Sequence, residues 1–73
     1  MPTFYTVIEN QMDNNGNHAL LFNHYDTLED ALAKLYTILA AASKSSLPYH
    51  AGHIIESDGY LRPEGKVFDR RQS

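Results

Sequence analysis

The chain contains no cysteine, and this absence excludes disulfides, thiolate metal sites and cysteine nucleophiles. The absence also fits a reducing compartment. The chain has 73 residues, which predicts a single domain over residues 1–73. A domain this small buries only about 60% of the surface that its unfolded chain exposes. Small domains often gain stability from a metal or from self-association, so either would be a natural support here.

Basic residues are also scarce. The chain has six basic and nine acidic residues, and its net charge is −3. No basic stripe is present for a nucleic-acid backbone to follow, so we expect no nucleic-acid partner. No apolar run approaches the roughly 20 residues of a membrane span, and the start, MPTFYTVIEN, lacks the basic and apolar regions of a signal peptide. The sequence therefore predicts a soluble, cytoplasmic protein with no membrane partner.

Known catalytic and metal-binding patterns are missing as well. The sequence has no G-x-S-x-G, H-E-x-x-H or Walker pattern. His50 and His53 lie three residues apart, but Pro48 and Gly52 make a helix improbable there. On a strand, that odd spacing sends the two rings to opposite faces of the sheet. We therefore predict no catalytic residue, no metal site, no cofactor and no enzymatic activity.

The residues that are present predict two strands followed by a helix. β-Branched and aromatic residues predict strands at about 3–9 and 18–25. Asn15 and Gly16 between them tolerate positive φ and indicate a turn. A helix over about 28–43 follows, with Thr27 as its cap and Asp30 in the capping-box position. Its apolar residues recur at helical spacing: Leu28, Ala31, Leu32, Leu35, Ile38, Leu39 and Ala42.

Two further strands are predicted at about 50–56 and 66–69, separated by the turn residues Ser57 to Gly59. The order is then β-β-α-β-β. One amphipathic helix can cover one face of a small antiparallel sheet, so we predict an α+β domain of two layers. The order of the strands within the sheet cannot be derived from this pattern.

A single helix leaves one face of the sheet uncovered, and neither face of the first two strands is clearly polar. The alternation of a strand puts Phe4, Thr6 and Ile8 on one face and Tyr5, Val7 and Glu9 on the other. Exposed apolar surface in a small protein often marks an interface. We therefore predict a homo-oligomer, with a dimer as the first expectation. The predicted interface residues are Tyr5, Val7, Tyr25, Tyr36 and Ala40.

The arginines suggest an alternative function. Guanidinium groups match phosphates and carboxylates, and tyrosine rings can stack on a planar base. A small nucleotide-like anion could be held between subunits by Tyr49, His50, Arg62, Arg70 and Arg71. The competing interpretation is that Asp69 pairs with an arginine and that the C-terminal tail is solvated.

Four stretches, FYTVIENQM, ALAKLYTILAAAS, PYHAGHII and EGKVFDRR, carry a resemblance that spans nearly the whole chain. The sequence resembles a set of short proteins encoded by bacteriophages and prophages, for which no activity is assigned. The resemblance implies a bacterial host cell and no particular site residues. Phage accessory proteins of this size commonly act by binding. The hypothesis is thus a non-enzymatic accessory protein that docks a host or virion protein.

Overall fold

The computed structural model describes residues 2–71 and contains four strands and one helix. In chain order these are β1 (Tyr5–Met12), β2 (His18–Tyr25), α1 (Leu28–Lys44), β3 (Tyr49–Glu56) and β4 (Lys66–Asp69). The strands form one antiparallel sheet in the order β2-β1-β3-β4, and α1 packs against one face of it. The predicted α+β architecture of two layers is confirmed. Because β1 lies between β2 and β3, the chain crosses over the central strand through α1.

The turn between β1 and β2 lies where the sequence predicted it, but Asn15 does not take the positive φ that it tolerates. The Asp13 N–H donates to the carbonyl of Asn17 at 3.0 Å, and the Gly16 N–H donates to the carbonyl of Asp13 at 3.1 Å. Within this turn, only Gly16 takes a positive φ, of 84°. This is the geometry of a three-residue hairpin loop with glycine in the left-handed position. The tight loop lets β1 continue to Met12, beyond its predicted end at residue 9.

Local hydrogen bonds cap both ends of helix α1. The Thr27 hydroxyl accepts from the Asp30 N–H at 3.3 Å, which is the predicted cap. At the other end, the Ser45 N–H donates to the carbonyl of Ala42 at 3.2 Å. The apolar stripe faces the sheet, and its fully covered members are Ala31, Leu35, Ile38 and Ala42.

The core lies between α1 and the two middle strands. Val7 of β1 and Ile54 of β3 have no exposed surface and form one cluster with Ala31, Leu35 and Ile38 of the helix. The helix packs directly on Gly52, where a Cβ atom added to the glycine would lie 3.0 Å from Ile38 Cγ2. A glycine at this position of β3 therefore permits close packing of helix and sheet.

The face that α1 covers is the one that the sequence analysis assigned to a partner. Val7 lies fully buried under the helix, and Tyr5 and Tyr25 pack around the same cluster. Val7 can therefore contribute no contact surface to a partner, and its assignment to an interface is corrected. The apolar face without a cover is the opposite one, which carries Thr6 and Ile8.

Candidate functional site: the open face of the sheet

We call the sheet face opposite α1 the open face. Its members follow from the alternation of each strand and from the pairing register. In order from β1 to β4 they are Phe4, Thr6, Ile8, Asn10, Met12; His18, Leu20, Phe22, His24; Tyr49, Ala51, His53, Ile55; and Leu61, Val67, Asp69.

Large apolar side chains are exposed across this face. The exposed fractions are 46% for Phe4, 54% for Leu20, 58% for Phe22, 57% for Leu61 and 47% for Val67. Leu20 and Phe22 belong to the edge strand β2 and Val67 to the edge strand β4, while Phe4 directly precedes β1 and Leu61 bridges to Ile55 of β3. Several large exposed apolar side chains on one face of a small protein mark a binding surface more often than single scattered residues do.

The open face also carries almost no charge. Within residues 2–71, the open face carries two of the 15 charged residues of the sequence: Arg71, which lies beyond the end of β4, and Asp69 of β4. Its carboxylate accepts from the Arg71 guanidinium at 2.9 and 2.7 Å. Those bonds, together with one from the Arg71 N–H, lower the pKa of Asp69 to about 2. The pair is therefore neutral overall, and the Arg71 guanidinium lies 4.9 Å from the centre of the Tyr49 ring.

Two histidines of the open face lie in contact with neighbouring residues. His24 Nδ1 lies 2.8 Å from the Thr6 hydroxyl, and its ring meets the ring of Phe4 edge-on with centroids 6.1 Å apart. His53 lies against Gly65, where a side chain would clash with its ring. No group of three metal-ligating side chains comes together within residues 2–71. His50 and His53 do face opposite sides of the sheet, as their spacing predicted.

His50 belongs to a polar pair under the helix. Its Nε2 lies 2.7 Å from a carboxylate oxygen of Glu9, and only 4% of the residue is exposed. Burial opposes ionisation of Glu9, but hydrogen bonds from His50 and Gln11 and the positive charge of Lys34 outweigh it. The pKa of Glu9 is therefore below its usual range. A free ligand cannot reach His50 in this structure, so the ligand-binding assignment of His50 is corrected.

Two of the predicted ligand-binding arginines donate hydrogen bonds to oxygen atoms of the same chain. Arg70 donates to the carbonyl oxygens of Ala42 at 2.8 Å and Ser43 at 3.4 Å, and so closes the C-terminal end of α1. Arg62 bonds to Glu56 at 2.6 Å and to Glu64 at 3.0 and 2.9 Å. The hydrogen bonds to Glu64 and Glu56 raise the pKa of Arg62. Both guanidinium groups are thus engaged within the chain.

The five predicted ligand-binding residues do not form one pocket within a single chain. Tyr49 and Arg71 are in contact at one end of β3. The Arg62 N–H bonds to the carbonyl of Ile54 near the other end, about 16 Å away at 3.3 Å per strand residue. A ligand site shared between subunits stays a prediction.

Of the predicted interface residues, Tyr36 and Ala40 are exposed on the outer side of α1, with Tyr36 54% exposed. The exposed residues of the open face were not predicted as an interface. The alternation of β1 already grouped Phe4 with Thr6 and Ile8, but it could not tell which group the helix covers. Nothing in the sequence indicated that Leu61 lies on the open face, because its position there comes from an isolated bridge to Ile55.

A shallow hollow lies beside the first turn of α1, lined by Thr27, Leu28, Glu29, Asp30 and Leu32. The start of a helix favours anions, but here the carboxylates of Glu29 and Asp30 stand beside it. The hollow is therefore a poor anion site.

A scan against protein-family models, a search of curated proteins and a search of solved structures each found no significant match to this chain. Within residues 2–71, no helix is both long and apolar enough to cross a membrane.

Proposed function

We propose that the protein acts by binding and not by catalysis, and that its open face docks an uncharged, apolar surface of another protein. The observation that supports this most is the distribution of charge. The strands direct Glu9, Glu56 and Lys66 to the covered face, and among residues 2–71 the open face keeps only the neutral Asp69–Arg71 pair. When one face of an antiparallel sheet is exposed to water, its strands normally alternate cleanly between apolar residues toward the core and polar residues toward the solvent.

An amphipathic helix of the partner is the occupant that fits this face. Helix α1 has 17 residues and so spans roughly 25 Å at 1.5 Å per residue. The eight-residue strands beneath it span about 26 Å. The two faces of the sheet have the same length, so a helix as long as α1 could lie across the open face. The product would be a layer of strands between two helices.

Other classes of partner fit less well. A phosphate backbone needs lysines or arginines, and the one arginine that residues 2–71 place at this face, Arg71, is paired with Asp69. A strongly charged protein surface would lose hydration against apolar residues without gaining an ion pair. The resemblance to phage-encoded proteins makes a protein of the bacterial host or of the virion the expected partner.

Photo-crosslinking from defined positions tests this proposal. A benzoylphenylalanine at position 61 lies on the open face, and one at position 36 lies on the outer side of α1. In bacterial cells, position 61 should give a specific crosslink to another protein and position 36 should not. The crosslinked partner peptide should come from an amphipathic helix.

The purified partner then allows a quantitative test. Leu61→Glu and Val67→Glu should each weaken binding at least tenfold, because each places a charge in an apolar contact. Tyr36→Glu is the matched control, since Tyr36 is as exposed as Leu61, and it should leave the affinity unchanged. Loss of binding in Tyr36→Glu with unchanged binding in both open-face variants would contradict the proposal.

A further inference from the structure

Strand β2 forms one edge of the sheet and lacks the features that protect an edge. Its eight residues, HALLFNHY, include no charged residue, no proline and no glycine. Proteins usually guard such edges with lysine, proline, bulges or very short strands. The opposite edge shows this protection, because β4 has only four residues, begins with Lys66 and follows Pro63.

The hydrogen-bonding pattern identifies which groups of β2 are free. Asp13 and Asn17 form a hydrogen-bonded pair at the turn, and bonded and non-bonded pairs alternate along an antiparallel ladder. Ala19, Leu21, Asn23 and Tyr25 therefore bond to β1. The N–H and C=O groups that point away from the sheet are those of His18, Leu20, Phe22 and His24. No other backbone group within residues 2–71 bonds to these four.

The side chains of β2 are exposed on both sides of the sheet. Leu20 and Phe22 are 54% and 58% exposed on the open face, and Leu21 is 49% exposed on the side of α1. A partner that lies on the open face covers Leu20 and Phe22 but leaves Leu21 in water. An added strand contacts side chains on both sides, because it continues the sheet.

We infer that two copies of this chain pair through their β2 strands, antiparallel and across a two-fold axis, to give one continuous eight-stranded sheet. Residues that face each other across antiparallel strands share a face of the sheet. The register that pairs all four free residues of β2 with one another places Leu21 on the axis, opposite Leu21 of the second copy. Leu20 then faces Phe22, His18 faces His24, and about eight backbone hydrogen bonds form.

A second copy is the occupant that this edge fits best. The edge is uncharged and therefore meets itself without repulsion, and a two-fold interface requires such self-complementarity. The nearest charged residues, Asp13 and Asp26, lie beyond the ends of β2. In this register Asp26 faces Gly16 of the second copy and not another carboxylate. The inference stands apart from the proposed function, although the dimer would join two open faces into one.

Amide hydrogen exchange with sedimentation equilibrium tests the dimer on the unmodified protein. Sedimentation should show a dimer at high micromolar concentration that dissociates on dilution. The amides of Leu20, Phe22 and His24 should be protected in the dimer and lose that protection on dilution. The amides of Leu21 and Asn23 should stay protected throughout, because they bond to β1. A monomer at every concentration, or a dimer whose Leu20 and Phe22 amides exchange freely, would overturn the inference.

A matched pair of variants separates this edge from the open face. Leu21→Glu places two carboxylates opposite each other on the axis, with Cα atoms about 4.5 Å apart, and should weaken dimerisation at least tenfold. Leu61→Glu introduces the same charge at a residue of similar exposure, far from β2, and should leave the dimer intact. Circular dichroism checks that both variants fold. Equal dimerisation of the two variants would overturn the proposed register.

Discussion

Replacing Gly52 with alanine measures how closely α1 packs on the sheet. The new Cβ atom would lie 3.0 Å from Ile38 Cγ2 and 3.1 Å from Leu35 Cδ1. These contacts are tighter than ordinary van der Waals contact, so the side chains of Ile38 and Leu35 must move by a few tenths of an ångström. Overpacking of this kind costs about 1–3 kcal/mol, and replacing a strand glycine by alanine returns about 0.5–1 kcal/mol. We expect the free energy of unfolding to fall by about 1–2 kcal/mol.

The assay is thermal and urea unfolding followed by circular dichroism. For a domain of this size, 1 kcal/mol corresponds to about 4–8 °C in Tm, so Tm should fall by about 5–15 °C. All variants must be compared at one protein concentration, because self-association stabilises the folded state by mass action.

A double-mutant cycle tests the cause. Ile38→Ala removes the Cγ2 atom that the new methyl group meets, so Gly52→Ala should cost at least about 1 kcal/mol less in that background. Ile38→Val is the matched control, because valine keeps an atom at the Cγ2 position and the clash remains. The reasoning is refuted if Gly52→Ala raises stability in the otherwise unchanged protein. It is equally refuted if the cost is the same in both Ile38 backgrounds.

Three further predictions concern polar groups. Glu9→Gln removes the carboxylate that bonds to His50 and should lower the free energy of unfolding by about 1–3 kcal/mol at pH 7. Because the pKa of Glu9 is lowered in the folded state, this stabilisation is present above the pKa of the unfolded chain and is lost as the pH falls through the folded pKa. Urea titrations from pH 7 to pH 3 should therefore show the difference between the two proteins shrinking, and a constant difference would contradict the role of the carboxylate. Arg70→Ala removes the donor at the end of α1 and should lower Tm by several degrees, at about 1 kcal/mol for a partly exposed charged hydrogen bond; an unchanged Tm would show that the cap contributes nothing. The Asp69 carboxyl should titrate near pH 2 by NMR, and Arg71→Gln should move its pKa up towards the ordinary value of 3.8; the same pKa in both proteins would contradict the pairing.

The predicted elements agree with the structure where the signal is local. Strands β2 and β4 have the predicted bounds, and α1 ends one residue later than predicted, at Lys44. The Thr27 cap and the turn at Gly16 each depend on residues a few positions apart. Hydrogen bonds of this range form between neighbours in the chain, so the residue types alone indicate them.

The candidate site was predicted only in part. Alternation correctly divided the residues of β1 into two groups and placed His50 and His53 on opposite faces. The choice of the buried group was wrong for Val7, because both groups contain apolar residues and hydrophobicity could not rank them. Arg70 was assigned to a ligand, although its guanidinium bonds to the carbonyl of Ala42, 28 positions earlier in the chain.

The sequence by itself determined the type and order of the elements and the absence of charge along β2, because these depend on residue type and on spacing within a few positions. The tertiary structure alone decided that β2 lies at an edge, that α1 covers the face of Val7, and that Glu9 meets His50 across 41 positions. Each of these depends on which distant segments pack together. The arrangement of these segments depends on burial and strand pairing over the whole chain, so it cannot be predicted from a local sequence pattern.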